Sequence, residues 1–184
     1  MAIAYRKATK ADFRFIEESW IESYRCAHAA GLISMDDWHD IMLDQVHKVL
    51  NRPGVTVHVA YNPNDDSISS DIYGWLAVET DYRVPVRARV NGKFQDVMEV
   101  SKLPLVHYCF VKHTYRRMGI ARELFRLIGV EKGDLFNFTC KTAVVTKLRL
   151  KHGRWLPLVA RYTKSKPESE NNDNASNTDK VNTI

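Results

Sequence analysis

Apolar residues in this chain first recur every three or four positions, then every two, then every three or four again. Phe13, Ile16, Trp20 and Tyr24 form the apolar stripe of an amphipathic helix. Thr9-Lys10-Ala11-Asp12 precedes it as a capping box with Asp in place of Glu, and Gly31 closes the stretch. A second stripe, Trp38, Ile41, Met42, Val46, Val49 and Leu50, follows the capping signature Ser34-Met35-Asp36-Asp37 and stops at Pro53-Gly54. Val55, Val57 and Val59 then alternate with Thr56, His58 and Ala60, which is strand spacing. Residues 72–78 read as another strand. The turn cluster Asn62-Pro63-Asn64-Asp65-Asp66 lies between the two and predicts antiparallel pairing.

Two β-like runs within 83–100 flank Asn91-Gly92, the strongest short hairpin signal, and Pro85 puts this hairpin at an edge or a strand start. Residues 103–111 are strongly apolar and read as a central strand. Ala121, Leu124, Phe125 and Ile128 make a helical stripe after Gly119. Residues 136–145 and 156–162 read as the last two strands, and 3–7 as a short first one. Strand, two helices, several strands and then strand–helix–strand predict one α/β (α+β) domain, a mixed and mostly antiparallel sheet flanked by helices.

The chain has 184 residues, room for one domain with a full core, assigned here to 1–162. Residues 163–184 hold almost no apolar side chains and read as a disordered polar tail. There Glu168, Glu170, Asp173 and Asp179 outnumber Lys164, Lys166 and Lys180, a net charge of 3 − 4 = −1, so of the chain's formal +5 the domain carries +6. A basic body suits an anionic ligand, whether a phosphate-rich cofactor, a nucleic acid or an acidic protein surface. Cys26, Cys109 and Cys140 form no Cys-x-x-Cys pair and the histidines show no metal spacing, so neither a disulfide framework, a zinc ribbon nor another metal site is expected. No apolar run has transmembrane length and the first residues lack a signal-peptide layout, so the expectation is a soluble cytoplasmic protein with no membrane partner.

The segment that carries chemistry is 105–124. A buried strand enters Lys112-His113-Thr114-Tyr115-Arg116-Arg117-Met118-Gly119, which opens a helix at Ile120-Ala121. The first N–H groups of a helix carry partial positive charge, and a glycine there lets a phosphate approach the backbone. No Gly-Lys-Ser/Thr follows and the earlier glycines of a dinucleotide fingerprint are missing, so this is neither a Walker loop nor a Rossmann turn.

Arg116, Gly119 and Ala121 fit Arg/Gln-x-x-Gly-x-Gly/Ala, and with Tyr115-Arg116-Arg117-Met118-Gly119-Ile120-Ala121 and Leu124 after a strand ending in Val111 the sequence resembles the GNAT superfamily of acyl-CoA transferases. The resemblance spans roughly 1–162 and is dense only near 103–128; the compact architecture is similar to short phage-encoded members. It implies an N-acyltransferase that moves an acetyl group from acetyl-CoA to an amine by direct attack. Arg116, Arg117 and the amides of Met118, Gly119, Ile120 and Ala121 would hold the CoA pyrophosphate. The backbone at Phe110 and Val111 would pair with the pantetheine arm, and the following strand, near 140–144, would splay away. Where many family members carry a glutamate base on the motif strand, this chain has His107. The family's tyrosine acid has no counterpart in 147–153, which leaves Tyr108 and Tyr162 as candidates.

Other readings of the residues stand beside these. His107 is equally a packed strand histidine, and strand alternation puts it with Cys109 and Val111 on one face and Val106, Tyr108 and Phe110 on the other. A Cys109–His107 nucleophile pair is disfavoured, since positions i and i+2 on a strand usually stand too far apart for a hydrogen bond. Lys147, Arg149, Lys151, Arg154 and Arg161 around Trp155 form a basic patch for nucleic acid or an acidic protein, or a solvated face. The acceptor site falls between the first two helices and the 83–100 hairpin, which could also join a homodimer. Without the tyrosine acid, the alternative is a GNAT-like protein that binds a macromolecule and does little chemistry.

Overall fold

The computed structural model describes residues 2–28, 34–64, 71–140 and 151–155, and the side chains of these except 25–28, 35 and 151–155. The elements are β1 (Ala4–Lys7), α1 (Phe13–His28), α2 (Met35–Leu50), β2 (Val55–Tyr61), β3 (Ile72–Glu79), β4 (Arg83–Val90), β5 (Lys93–Val100), β6 (Leu105–Val111), α3 (Ile120–Leu127), β7 (Leu135–Phe138) and β8 (Lys151–Trp155). Six strands form one sheet in the order β1-β2-β3-β6-β7-β8, while β4 and β5 form a separate two-stranded ribbon. Pairing is antiparallel from β1 to β6 and parallel from β6 through β7 to β8. The sheet is therefore mixed and mostly antiparallel, as the spacing of the elements predicts. No described helix is long and apolar enough to cross a membrane.

The two helical stripes cover one face of the sheet. Ile16 and Trp20 of α1 and Met42, Val46 and Val49 of α2 pack on Val57, Val59, Trp75 and Ala77. Leu124 and Phe125 of α3 cover the opposite face with Leu76, Val106, Cys109 and Phe136. At the entry to α1 the Asp12 carboxylate accepts hydrogen bonds from the Thr9 backbone N–H at 2.7 Å and the Thr9 hydroxyl at 2.9 Å. Arg6 on β1 holds the same carboxylate at 2.6 Å, which ties the helix start to the sheet edge. Gly74 permits a close approach in the middle of β3: a Cβ there would lie 2.7 Å from the Phe110 carbonyl and 3.3 Å from Ile120 of α3. Hydrophobic periodicity does not reveal that requirement.

The end of the sheet differs from the sequence expectation. The strand expected at 136–145 stops at Phe138, because the Thr139 hydroxyl turns back to the His107 carbonyl. Lys151–Trp155, read as part of a basic patch, is a strand parallel to β7. Residues 141–150, the strand expected at 156–162, Tyr162, Arg161, Gly31 and the polar tail lie outside the described residues.

Candidate functional site

The site is built around a bulge in β6. Opposite β3, Ala77 pairs with Tyr108 and Val78 with Val106, so His107 is an extra residue. A bulge of this kind bends its strand and resets which peptide groups face each neighbour. Beyond it, the Lys112 N–H donates to the Tyr73 carbonyl at 2.9 Å, so Phe110 and Tyr108, two and four residues back, also turn their peptide groups toward β3. Those of His107, Cys109 and Val111 then face β7. In agreement, the carbonyl of His107 accepts from Thr139 Oγ1 and that of Val111 from Arg116 Nε at 3.3 Å.

Strand β7 runs beside β6 only at Leu105–Asn137 and Val106–Phe138. Thr139 then ties off the bulge, its N–H bonding the Val106 carbonyl at 3.1 Å and its hydroxyl the His107 carbonyl at 2.9 Å. No described residue of β7 continues the ladder along Cys109 and Val111. Among the described residues the β6 edge at Cys109 and Val111 therefore has no ladder partner on this side, just before the turn that starts α3.

That turn is exposed from Arg116 through Gly119, whereas Ile120 behind it is buried. Arg117 at φ 69° and Gly119 at φ 82° are both left-handed, which suits glycine and strains arginine. A Cβ built on Gly119 meets no atom within 4 Å, so open space adjoins its backbone. The Glu123 N–H bonds the Gly119 carbonyl, and helix geometry leaves the N–H groups of Ile120, Ala121 and Arg122 ahead of it without an intrahelical acceptor. An anion fits here by charge and by space.

The side chains named from the sequence are placed less simply. His107 has no exposed surface; its Nε2 lies 2.9 Å from Glu79 Oε2, which Arg52 also reaches at 3.2 Å. A group so enclosed does not reach a substrate, so the catalytic reading of His107 gives way to that of a packed strand histidine. The bulge also corrects the predicted faces. Val106 joins Cys109 and Val111 toward α3, while His107 turns to Glu79 and away from Cys109. Burial pushes the Cys109 thiol up to about 12.

Tyr108 and Phe110 face α1. Tyr108 stacks on Trp20 with centroids 5.4 Å apart, and its hydroxyl donates to Ser23 at 3.0 Å. Phe110 lies against Trp75 and edge-on to Phe15. Tyr24, which the sequence shows only as a helix-stripe residue, meets Tyr108 edge-on and is hydrogen-bonded with the Cys140 thiol at the end of β7. Burial is the main cause that raises Tyr108, Tyr24 and Cys140, each to about 12. Nothing in the sequence spacing joins Tyr24, Tyr108 and Cys140; the sheet does, by bringing α1 over the gap between β6 and β7. Lys112 is held by Asp71 at 2.6 Å, with its ammonium 5.0 Å above the Phe15 ring.

No protein-family model and no curated protein matches the chain. Among solved structures it is similar to aminoglycoside 6'-N-acetyltransferase AAC(6')-Ih from Acinetobacter baumannii, at 15% identity over 84% of this chain and 95% of that one, with a TM-score of 0.45. It is also similar to the PaiA N-acetyltransferase from Thermoplasma acidophilum in complex with coenzyme A, at 14% identity over 70% of each chain and a TM-score of 0.41. An acetyltransferase from Vibrio fischeri gives 18% identity over 68% of this chain and 83% of that one, again with a TM-score of 0.41. Several of the solved structures to which this chain is similar are described as acetyltransferases, one of them as of the GNAT family.

Proposed function

We propose that the chain binds acetyl-CoA across the α3 turn and the parted strands, and transfers the acetyl group to an amine by direct attack. The observation that carries this reading is the outward edge of β6 at Cys109 and Val111, opened where β7 departs and leading straight to the exposed Gly119 turn. A diphosphate would sit against Gly119 and the first α3 amides, with Arg116 and Arg117 nearby. The pantetheine arm would add to the β6 edge through Cys109 and Val111 rather than through Phe110, whose peptide groups turn to β3. The thioester it carries supplies the acyl group. The amine would approach from the α1 side, where Tyr24 and Tyr108 stand.

The amine must lose a proton and the departing thiolate must gain one. Tyr24, Tyr108 and Cys140 stay protonated at neutral pH, each held at about 12. Tyr108 would serve as donor for the thiolate once its hydroxyl lets go of Ser23. No described side chain is assigned as base here, so the amine arrives neutral or gives its proton to water. In that case log kcat/KM rises with pH up to the amine's own pKa.

The enclosure of His107 favours a second reading, a protein of this fold that binds CoA and turns over little. Calorimetry with acetyl-CoA, then thiol release over a panel of amines, separates them. Binding with thiol release supports transfer; binding without release on any amine supports the second reading. No binding at all overturns both.

A further inference from the structure

The β4–β5 ribbon takes no part in the site described above. Among the described residues neither strand pairs with the main sheet. A two-stranded hairpin alone is marginal in water. Asn91 at φ 50° and Gly92 at φ 79° make its tip a tight left-handed turn. Its root is fixed: the Ser101 N–H bonds the Tyr82 carbonyl at 2.8 Å, and Asn137 of β7 donates to the Tyr82 hydroxyl and to Ser101 Oγ. Asn137 is next to Phe138, where β7 leaves β6, so the arm is rooted beside the opening.

Cross-strand register assigns the side chains to faces. Arg83 opposes Val100, Pro85 opposes Met98, Arg87 opposes Asp96 and Arg89 opposes Phe94, so these eight share one face. On it Phe94 is 66% exposed, Met98 58% and Val100 56%. All three arginines are exposed, and among the described residues none makes an ion pair. The Arg87 guanidinium lies 5.7 Å from the Phe94 ring. Arg87 and Arg89, two residues apart on a strand, project about 7 Å from each other. Three arginines against Asp96 make this face cationic, so two copies meeting through it would repel. A polyanion is what the charge admits, and the exposed ring offers a base a stacking surface.

We infer that the Arg83–Arg87–Arg89 and Phe94 face of this arm binds a single-stranded nucleic acid, with phosphates on the guanidinium groups and a base on Phe94. This inference is independent of the acyl-transfer reading.

The test is fluorescence anisotropy of the full chain with a labelled oligothymidylate of about 20 nucleotides, over roughly 50 to 200 mM salt. Arg87→Gln with Arg89→Gln is expected to weaken binding about tenfold or more and to lower the salt slope by about 1.4, the loss of two phosphate contacts. Phe94→Ala is expected to weaken it about fivefold to a hundredfold with the slope unchanged, while Phe94→Trp retains it. Unchanged melting and an unchanged far-UV circular dichroism spectrum show that these variants are folded. Four results each overturn the inference. One is no binding by the unsubstituted chain, and another is binding by the Arg and Phe94→Ala variants as tight as that of the unsubstituted chain. The third is a preference for the matched duplex or for polyaspartate that ignores Phe94. The fourth is a dimer in sedimentation that Phe94→Ala dissociates with oligonucleotide affinity intact.

Discussion

His107 and Glu79, on neighbouring central strands, meet across the bulge with Nε2 and Oε2 2.9 Å apart, and Arg52 closes the group from beyond α2. This contact holds the extra residue that turns the backbone of Cys109 and Val111 toward the opening. Removing one partner from a buried ionic group leaves the other uncompensated. Glu79→Ala is therefore expected to cost about 3–5 kcal/mol in urea denaturation. His107→Gln, which keeps a hydrogen-bonding side chain, is expected to cost about 1–3 kcal/mol and to leave thiol release per folded molecule within about threefold. A loss of a hundredfold or more in kcat for folded His107→Gln, with stability intact, would make the histidine a base after all.

At the α3 turn the expected effects are on binding. Gly119→Glu places a carboxylate in the open space beside the helix start and is expected to raise the Kd for acetyl-CoA at least about a hundredfold in calorimetry. Its Cβ meets nothing, but the left-handed φ costs roughly 1–2 kcal/mol of stability. Gly119→Ala carries the same strain without the charge. Its Kd is expected to rise less than that of the Glu variant while its melting temperature falls by a similar amount. Equal CoA binding by all three forms would remove the cofactor from this turn.

Alkaline stability follows from the buried aromatic and thiol groups. Tyr24, Tyr108, Cys109 and Cys140 are each raised to about 12 in the fold. In the unfolded chain the thiols titrate near ~8.5 and the phenols near ~10. Folded values above unfolded ones mean that the contribution is complete below the unfolded values and is lost as pH rises toward 12. The urea midpoint is expected to fall between about pH 9 and 11. Tyr108→Phe keeps the ring and removes the phenol, so it should flatten that decline and release the hydrogen bond to Ser23. An unchanged slope in Tyr108→Phe would show that the phenol is not held as the structure has it.

Acid acts at the other edge of the sheet. Burial alone would raise the Asp12 carboxyl, but hydrogen bonds from Arg6 and Thr9 outweigh it and hold it below the ordinary value. A depressed folded value means that the stabilisation is present above the unfolded pKa, near ~3.9, and is lost as pH falls through the folded one. Asp12→Asn is expected to lower stability by about 1–3 kcal/mol at neutral pH and to narrow its gap from the unsubstituted chain below about pH 4. A gap that stays constant down to pH 2 would rule out this linkage.

Much of the architecture is legible in local spacing because each signal acts within a few residues. Thr9 with Asp12 starts the first helix, Asn91-Gly92 turns the ribbon, and Gly119 opens α3, each by backbone geometry that neighbouring side chains dictate. The strongly apolar run of β6 identifies a central strand. The end of β7 was not legible, because it depends on Thr139 bonding the His107 carbonyl 32 residues away in sequence. Nor was the strand at Lys151–Trp155, whose charged and glycine-containing sequence carries no strand period.

Sequence alone determined the order and kind of most elements and a glycine turn after a buried strand, since a left-handed residue and free helix amides are local properties. Tertiary structure alone decided what surrounds them. A single extra residue at His107 exchanges the faces predicted for Val106 and His107, buries the histidine against Glu79, and turns the backbone of Cys109 and Val111 away from β3. Strand register is a relation between distant segments, and one residue of slip exchanges the faces of everything beyond it.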